Sequence, residues 1–291
     1  MGVKWTPGTE NDDVVDERGE GGGRGGGIGA MHLTGGGLAV AVVAVVVARL
    51  FGVDISGLLG SSGSPQPAPS SHARPRSGPD PDKDLVDFVK FVMKDVQGTF
   101  EAQFRAEGQP YRHAKLVLFT SAIDTGCGRS SSAIGPFYCP PDERAYIDLS
   151  FYRELRERFG APGDFAQAYV LAHEIGHHLQ KLLGTEQQAK VLGRNHRRNE
   201  ISVETELQAD CYAGVWGHAA AGKNLLEAGD VEEAITAATA IGDDRLQKQA
   251  GREVNPETFT HGSSAQRVKW FRRGFETGKL GACDTFSARD L

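Results

Sequence analysis

Residues 172–179 read AHEIGHHL, three histidines and a glutamate inside an apolar run. His173 and His177 are four apart, which on a helix puts them on one face, one turn from each other, so both imidazoles can reach a single metal ion. His178 lies about 100° further round the helix and reads as a polar or packing residue rather than a ligand. Glu174 cannot point at the metal together with the histidines, but it can take a proton from a water on it. Zinc brings such a water to a pKa of about 7, so hydroxide becomes available at neutral pH. The bland alternative is a pair of histidines satisfied by ordinary hydrogen bonds.

Two histidines do not complete a catalytic zinc site, which takes three protein ligands and keeps one position open. The stretch ETELQADCYAGVW, residues 204–216, offers the remainder. Glu206 and Asp210 are again four apart. Glu206 can be the third ligand, and Asp210 can accept a hydrogen bond from a ligand histidine and fix its tautomer. Glu204 competes for the ligand role but lies on a different side of the helix from Asp210. Acids in an otherwise apolar, small-residue segment need partners. Near the C-terminus, FTHGSSAQRVKWF (259–271) places His261 and Arg267 around a helix start at Ser263 or Ser264. In a zinc hydrolase the two can stabilise the oxyanion formed when hydroxide attacks a carbonyl. Spacing alone favours the plainer reading, a loop histidine and a surface arginine.

These motifs sit in a domain whose outline follows from periodicity. Apolar positions from Leu85 to Phe104 have helical spacing. KLVLFT (115–120) is β-rich, and residues 131–150 read as two strands around a Pro-Pro-Asp turn. Ser150 is expected to cap a helix through Phe159, and Asp164 the metal-binding helix, Phe165 to Leu183. Further helices are expected over 203–220, 231–241 and 263–277. The fold class is α+β, mainly helical with a small β-sheet. Residues 184–200 read either as solvated surface or as a lid.

The chain ahead of this domain has a different composition. Residues 1–37 hold 13 glycines and few large apolar side chains, which predicts a disordered tail. Residues 38–55 begin with LAVAVVAVVVARLFGV, apolar except for Arg49 and close to the ~20 residues that cross a bilayer. They are expected to form one transmembrane anchor. A cleaved signal peptide and a buried soluble helix fit less well, because a long tail precedes the run and every face is apolar. Residues 56–82 are a Ser/Pro/Gly linker, and 83–291 form the domain. Arginines on the N-terminal flank place the N-terminus in the cytoplasm and the domain outside the cell membrane. The net charge of −6 argues against a nucleic-acid partner. All four cysteines lie in the outer domain, which fits an oxidising compartment and two disulfides. Cys127 and Cys139 flank a short loop and are expected to pair, which leaves Cys211 and Cys283 to tie the C-terminus to the core. A thiolate metal site is disfavoured by the absence of C-x-x-C spacing.

The chain resembles the neutral zinc metallopeptidases of bacteria. The resemblance rests on SAIGPFYCPPDERAYIDLSFY, AHEIGHHLQ, ELQADCYAGVW, FTHGSSAQRVKWFRRGF and the terminal CDTF. It implies a zincin-like domain behind a glycine-rich tail and one membrane anchor. More distantly the chain is similar to the gluzincin peptidases, which implies zinc on His173, His177 and Glu206, with Asp210 behind them and functional roles for His261 and Arg267. Gly262 stands where that distant group has proline. The reading is therefore a membrane-anchored Zn2+ metallopeptidase, an endopeptidase acting on a peptide or protein substrate. Glu174 is its base, and the substrate is added along the strand edge Ser132–Tyr138. The alternatives are a non-catalytic membrane-tethered zinc-binding scaffold and a zinc hydrolase acting on a non-peptide cell-envelope amide.

Overall fold

The computed structural model describes residues 2–19, 79–192, 198–288 and 290–291. The expected anchor, with the glycine-rich stretch before it and most of the linker after it, lies outside them. Among the described residues no helix is long and apolar enough to cross a membrane.

Three parallel strands and one antiparallel strand form the main sheet. They are β1 (Val14–Asp16), β2 (Lys115–Phe119), β6 (Arg144–Asp148) and β5 (Phe137–Cys139), in that spatial order. β1 and β6 flank β2 in parallel, and β5 runs antiparallel to β6. The hairpin β3 (Ala122–Thr125) and β4 (Gly128–Ser131) makes a second, two-stranded sheet, so the single sheet expected from sequence becomes two. The expected strand edge at 132–138 is shorter than predicted, because Ser132–Ile134 form a turn of 3-10 helix and only β5 offers an edge.

Helices supply the rest: α1 (Lys83–Ala106), α2 (Ser150–Glu157), α3 (Asp164–Leu182), α4 (Thr185–Leu192), α5 (Arg198–Gly222), α6 (Asp230–Ala240), α7 (Asp243–Gln249) and α8 (Ser264–Thr277). Val89, Val92, Met93, Val96 and Phe100 of α1 are fully or almost fully buried, as the 3.6-residue period demands. α3 is buried on nearly every face because α1, α5 and α6 all pack on it. At the α3–α5 crossing a Cβ on Gly176 would stand 3.0 Å from the Cα of Ala209, so glycine lets the two backbones approach. The disulfides Cys127–Cys139 and Cys211–Cys283 both form. The second ties the last turn of the chain to α5.

Two expected helix caps are corrected. Asp164 is the first residue of α3 after Gly163, and its side chain accepts from the Val3 amide instead (3.1 Å). The Phe165 amide is satisfied by Glu233 of α6 (3.1 Å). Ser150 likewise follows Leu149 at the start of α2, and its amide is held by Asp148 (2.9 Å). Ser263 does cap α8, in a reciprocal box with Gln266, which satisfies two otherwise orphaned amides.

The larger correction concerns the tail. Residues 2–18 are part of the domain: Val3 is buried, Trp5 packs edge-on against Phe88 at 5.8 Å, and β1 closes one side of the sheet. Their apolar side chains find a hydrophobic surface that composition averaged over 37 residues conceals. The linker is also shorter than the expected 56–82, since Asp80 and Asp82 ion-pair with the buried Arg18 at 2.6 and 3.2 Å.

Candidate metal centre

The third and fourth turns of α3 carry His173 and His177, and α5 crosses them with Glu206 facing the pair. His173 Nε2 is 3.2 Å from one Glu206 oxygen and His177 Nε2 is 3.6 Å from the other. One donor atom from each of the three residues lies within 4.8 Å of the others. The imidazole rings stand at 89° with centroids 4.8 Å apart. Two donors about 2.1 Å from a tetrahedral centre lie roughly 3.4 Å apart, so the observed spacings suit one ion. Two imidazole nitrogens and a carboxylate are donors that zinc accepts.

The outward nitrogens are held from behind. His173 Nδ1 meets Asp210 at 2.9 Å, and His177 Nδ1 meets Gln180 Oε1 at 2.8 Å. Gln180 in turn donates to the Thr205 carbonyl at 2.6 Å, which fixes its orientation. The oxygen therefore faces His177 Nδ1, whose proton must be there, leaving Nε2 bare on the Glu206 side. Asp210 is fully buried and also accepts from Tyr169 (2.5 Å) and from Nε and Nη2 of Arg267 (2.9 Å each).

Charge follows from this packing. Burial works against a charged His173, but the hydrogen bonds to Asp210 and Glu206 outweigh it and push its pKa up to about 10. Burial also opposes ionisation of Glu206, yet the charge of His177 and the bond from His173 hold its carboxyl far below the usual range. Without a metal, the cluster therefore draws positive charge to itself. Glu174, beside them on α3 and 7% exposed, behaves the other way. Burial pushes its pKa up, and the nearby histidines only partly offset this. A carboxyl poised above its ordinary range suits a group that both takes and returns a proton.

His178 is not in the cluster, as expected. Its Nε2 meets the Arg112 carbonyl at 2.6 Å, which can only accept, so Nδ1 is the acceptor for the Tyr138 hydroxyl at 2.9 Å. Burial lowers its pKa and keeps it neutral. Through Tyr138 it joins the metal-site helix to the edge strand β5.

His261 and Arg267 separate in position. His261 Nδ1 is 3.1 Å from Asp243, and the other Asp243 oxygen accepts from the amides of Thr260, His261 and Gly262. This turn places His261 near enough to Glu206 for its charge to help keep that carboxylate ionised. Gly262 has φ +90°, a left-handed conformation that proline's fixed ring cannot adopt. That explains the departure from the proline of the distant group. Arg267 lies beyond Asp210, on the Nδ1 side of His173, away from the nitrogen that faces Glu206. It is 2% exposed, with a further bond to the Ile241 carbonyl. In this placement Arg267 is the counter-ion of Asp210, and its charge also reaches Glu206 and Glu174.

Glu204 is buried on another side of α5 and is not in the cluster. Tyr169, Gln180 and Asp243 went unnoticed in the sequence. The first two were within reach, since Tyr169 precedes His173 by four residues and Gln180 follows His177 by three, both on one helix face. Asp243 is 18 residues from His261 and carries no local signal. A second group of acids, Asp164, Asp230 and Glu233, is engaged by the backbone amides of Val3, Glu227 and Phe165.

A His-Glu-x-x-His helix crossed by a second helix that offers a carboxylate to the same point defines the class: an α+β protein built around a candidate metal-hydrolase centre. Residues 3–286 match the family described as "Putative neutral zinc metallopeptidase", and the chain belongs to that family. It is 44% identical over 288 residues to "Uncharacterized protein YpfJ" of Escherichia coli K12, covering 98% of this chain and 99% of that one. "Uncharacterized protein Rv2575" of Mycobacterium tuberculosis H37Rv is 42% identical over 267 residues, 84% of this chain and 86% of its own. No solved structure matches.

Proposed function

We propose that the protein is a zinc-dependent peptidase, with zinc on His173, His177 and Glu206. The observation that carries this reading is the convergence of those three donors beside the buried Glu174. Zinc bound there would lower the pKa of a water to about 7 and polarise a carbonyl. The residues do the rest. Glu174 accepts the water's proton on its carboxylate as the oxygen attacks the scissile carbonyl, and returns it to the leaving amine. Its raised pKa favours the uptake, and the far more basic leaving amine then takes the proton from it. Asp210, clamped by Arg267 and Tyr169, holds His173 in the tautomer with a bare Nε2, and Gln180 does the same for His177. His261 donates to the developing oxyanion. The edge of β5, fixed to α3 by the Tyr138–His178 bond, receives the substrate as an added strand. A membrane tether through residues 38–55 belongs to this reading.

The full chain, disulfides intact and zinc supplied, is to be incubated with a mixed peptide library beside Glu174→Gln. The expected result is one zinc per chain in both proteins and cleavage by the wild type that is slowed in the variant by at least about 10²-fold. Equal cleavage by both would remove Glu174 from the mechanism. One bound zinc without cleavage by either would remove the peptide substrate and favour the non-catalytic or cell-envelope alternative.

A further inference from the structure

The two stretches of chain on either side of the apolar run 38–53 are parts of one fold. β1 pairs with β2 at Val14↔Leu116, Val15↔Val117 and Asp16↔Leu118. The ladder extends at both ends, from the Leu116 amide to the Asp13 carbonyl (2.7 Å) and from the Glu17 amide to the Leu118 carbonyl (2.8 Å). Asp13 takes bonds from Lys115 (2.8 Å), Gln97 (3.0 Å) and His113 (2.6 Å). Further towards the N-terminus, the Lys4 amide bonds the Leu225 carbonyl (2.8 Å). Arg18, with a side chain 3% exposed, grips Asp16, Asp80 and Asp82 at once. The chain thus departs at residue 19 and returns at residue 79 beside the same guanidinium.

We propose that residues 2–18 lie on the same side of the membrane as the domain, so that the apolar run makes no net crossing. A single crossing would put β1 and β2 on opposite sides of a hydrocarbon layer about 30 Å thick. Paired strands stand about 4.8 Å apart and cannot tolerate that separation. Two crossings would restore the pairing but need roughly 40 apolar residues, and the run from Leu38 to Val53 is 16 residues long, Arg49 included. The two disulfides belong to an oxidising compartment, so the N-terminal segment belongs there as well. This replaces the arrangement with the N-terminus in the cytoplasm, and it is independent of the catalytic reading.

The test uses the full chain in its native membrane with a single added cysteine, Glu10→Cys or Arg252→Cys, both at exposed positions. The four native cysteines are paired and do not compete for a maleimide. A membrane-impermeant maleimide is applied to intact and to lysed cells. The expected result is that both positions label under the same condition. Opposite labelling, one before lysis and the other only after it, overturns the proposal. Arg18→Met supplies a second readout. Leaving three partly exposed carboxylates without their buried cation should lower the melting temperature of the purified full chain by about 3–6 °C. An unchanged melting temperature would show that the segment is not part of the domain and would also overturn it.

Discussion

Two successive turns of α5 carry carboxylates in opposite situations. Asp210 is fully buried and meets a permanent cation through two hydrogen bonds, with Tyr169 and His173 on its remaining lone pairs. Glu206, four residues earlier, meets two histidine nitrogens, at 3.2 and 3.6 Å, and no fixed cation among the described residues. A buried charge needs a partner. Asp210 has one built into the fold, whereas Glu206 has one only when the histidines are protonated or a cation stands between them. The Asp210 turn is thus satisfied by the fold itself, and the Glu206 turn is where the fold gathers candidate donors.

The most disruptive way to probe that contrast is Asp210→Asn. It keeps the shape but leaves Arg267 buried without its counter-ion, and breaking a buried pair in this way costs about 3–5 kcal/mol. Urea unfolding of the metal-free protein should show the loss directly. A change below about 1 kcal/mol would mean that the Arg267 clamp is not formed in solution, and the distinction between the two turns would disappear.

A smaller effect is expected from Gln180→Ala. Gln180 bridges His177 and the Thr205 carbonyl and so links the two helices behind the ligands. Removing such an outer partner commonly weakens metal affinity by about 10–100-fold while leaving the ligand set intact. A zinc competition titration would measure it, and an unchanged affinity would mean that His177 is oriented by packing alone.

How legible this arrangement was depends on the range over which each signal acts. The ligand cluster followed from spacing, because a separation of four residues on a helix is already a spatial statement. His173 with His177, and Glu206 with Asp210, needed only the crossing of the two helices to meet. The two strands around Pro140–Pro141 were readable for the same reason, through local turn chemistry. Arg267 was found, but its pairing with Asp210 was not, since spacing along α8 does not say on which side of His173 its side chain arrives. The N-terminal segment was misjudged because β1 has three residues and acquires its stability from β2, about 100 positions away. The cap of α3 failed in a related way, because Asp164 accepts from Val3 and Glu233 from Phe165, tertiary contacts that no sequence window contains. That of α2 failed locally, with Asp148 holding the Ser150 amide two residues away.

The last way to sharpen the contrast has the smallest expected effect on stability. Glu206→Gln retains an oxygen able to accept from one histidine and removes a charge that, without metal, faces the protonated His173. It also relieves the repulsion by which Glu206 raises the pKa of Glu174. The lost attraction to His173 and the relieved repulsion oppose each other, so metal-free stability should change by no more than about 1 kcal/mol. Zinc binding should fall steeply, because an amide is a much poorer ligand than a carboxylate. The diagnostic quantity is the stabilisation that added zinc confers, which is RT ln(1 + [L]/Kd) in the wild type. It should be nearly absent in the variant over the same metal range. If zinc raised the melting temperature of Glu206→Gln as much as that of the wild type, Glu206 would not be a ligand, and α5 would carry two structural carboxylates.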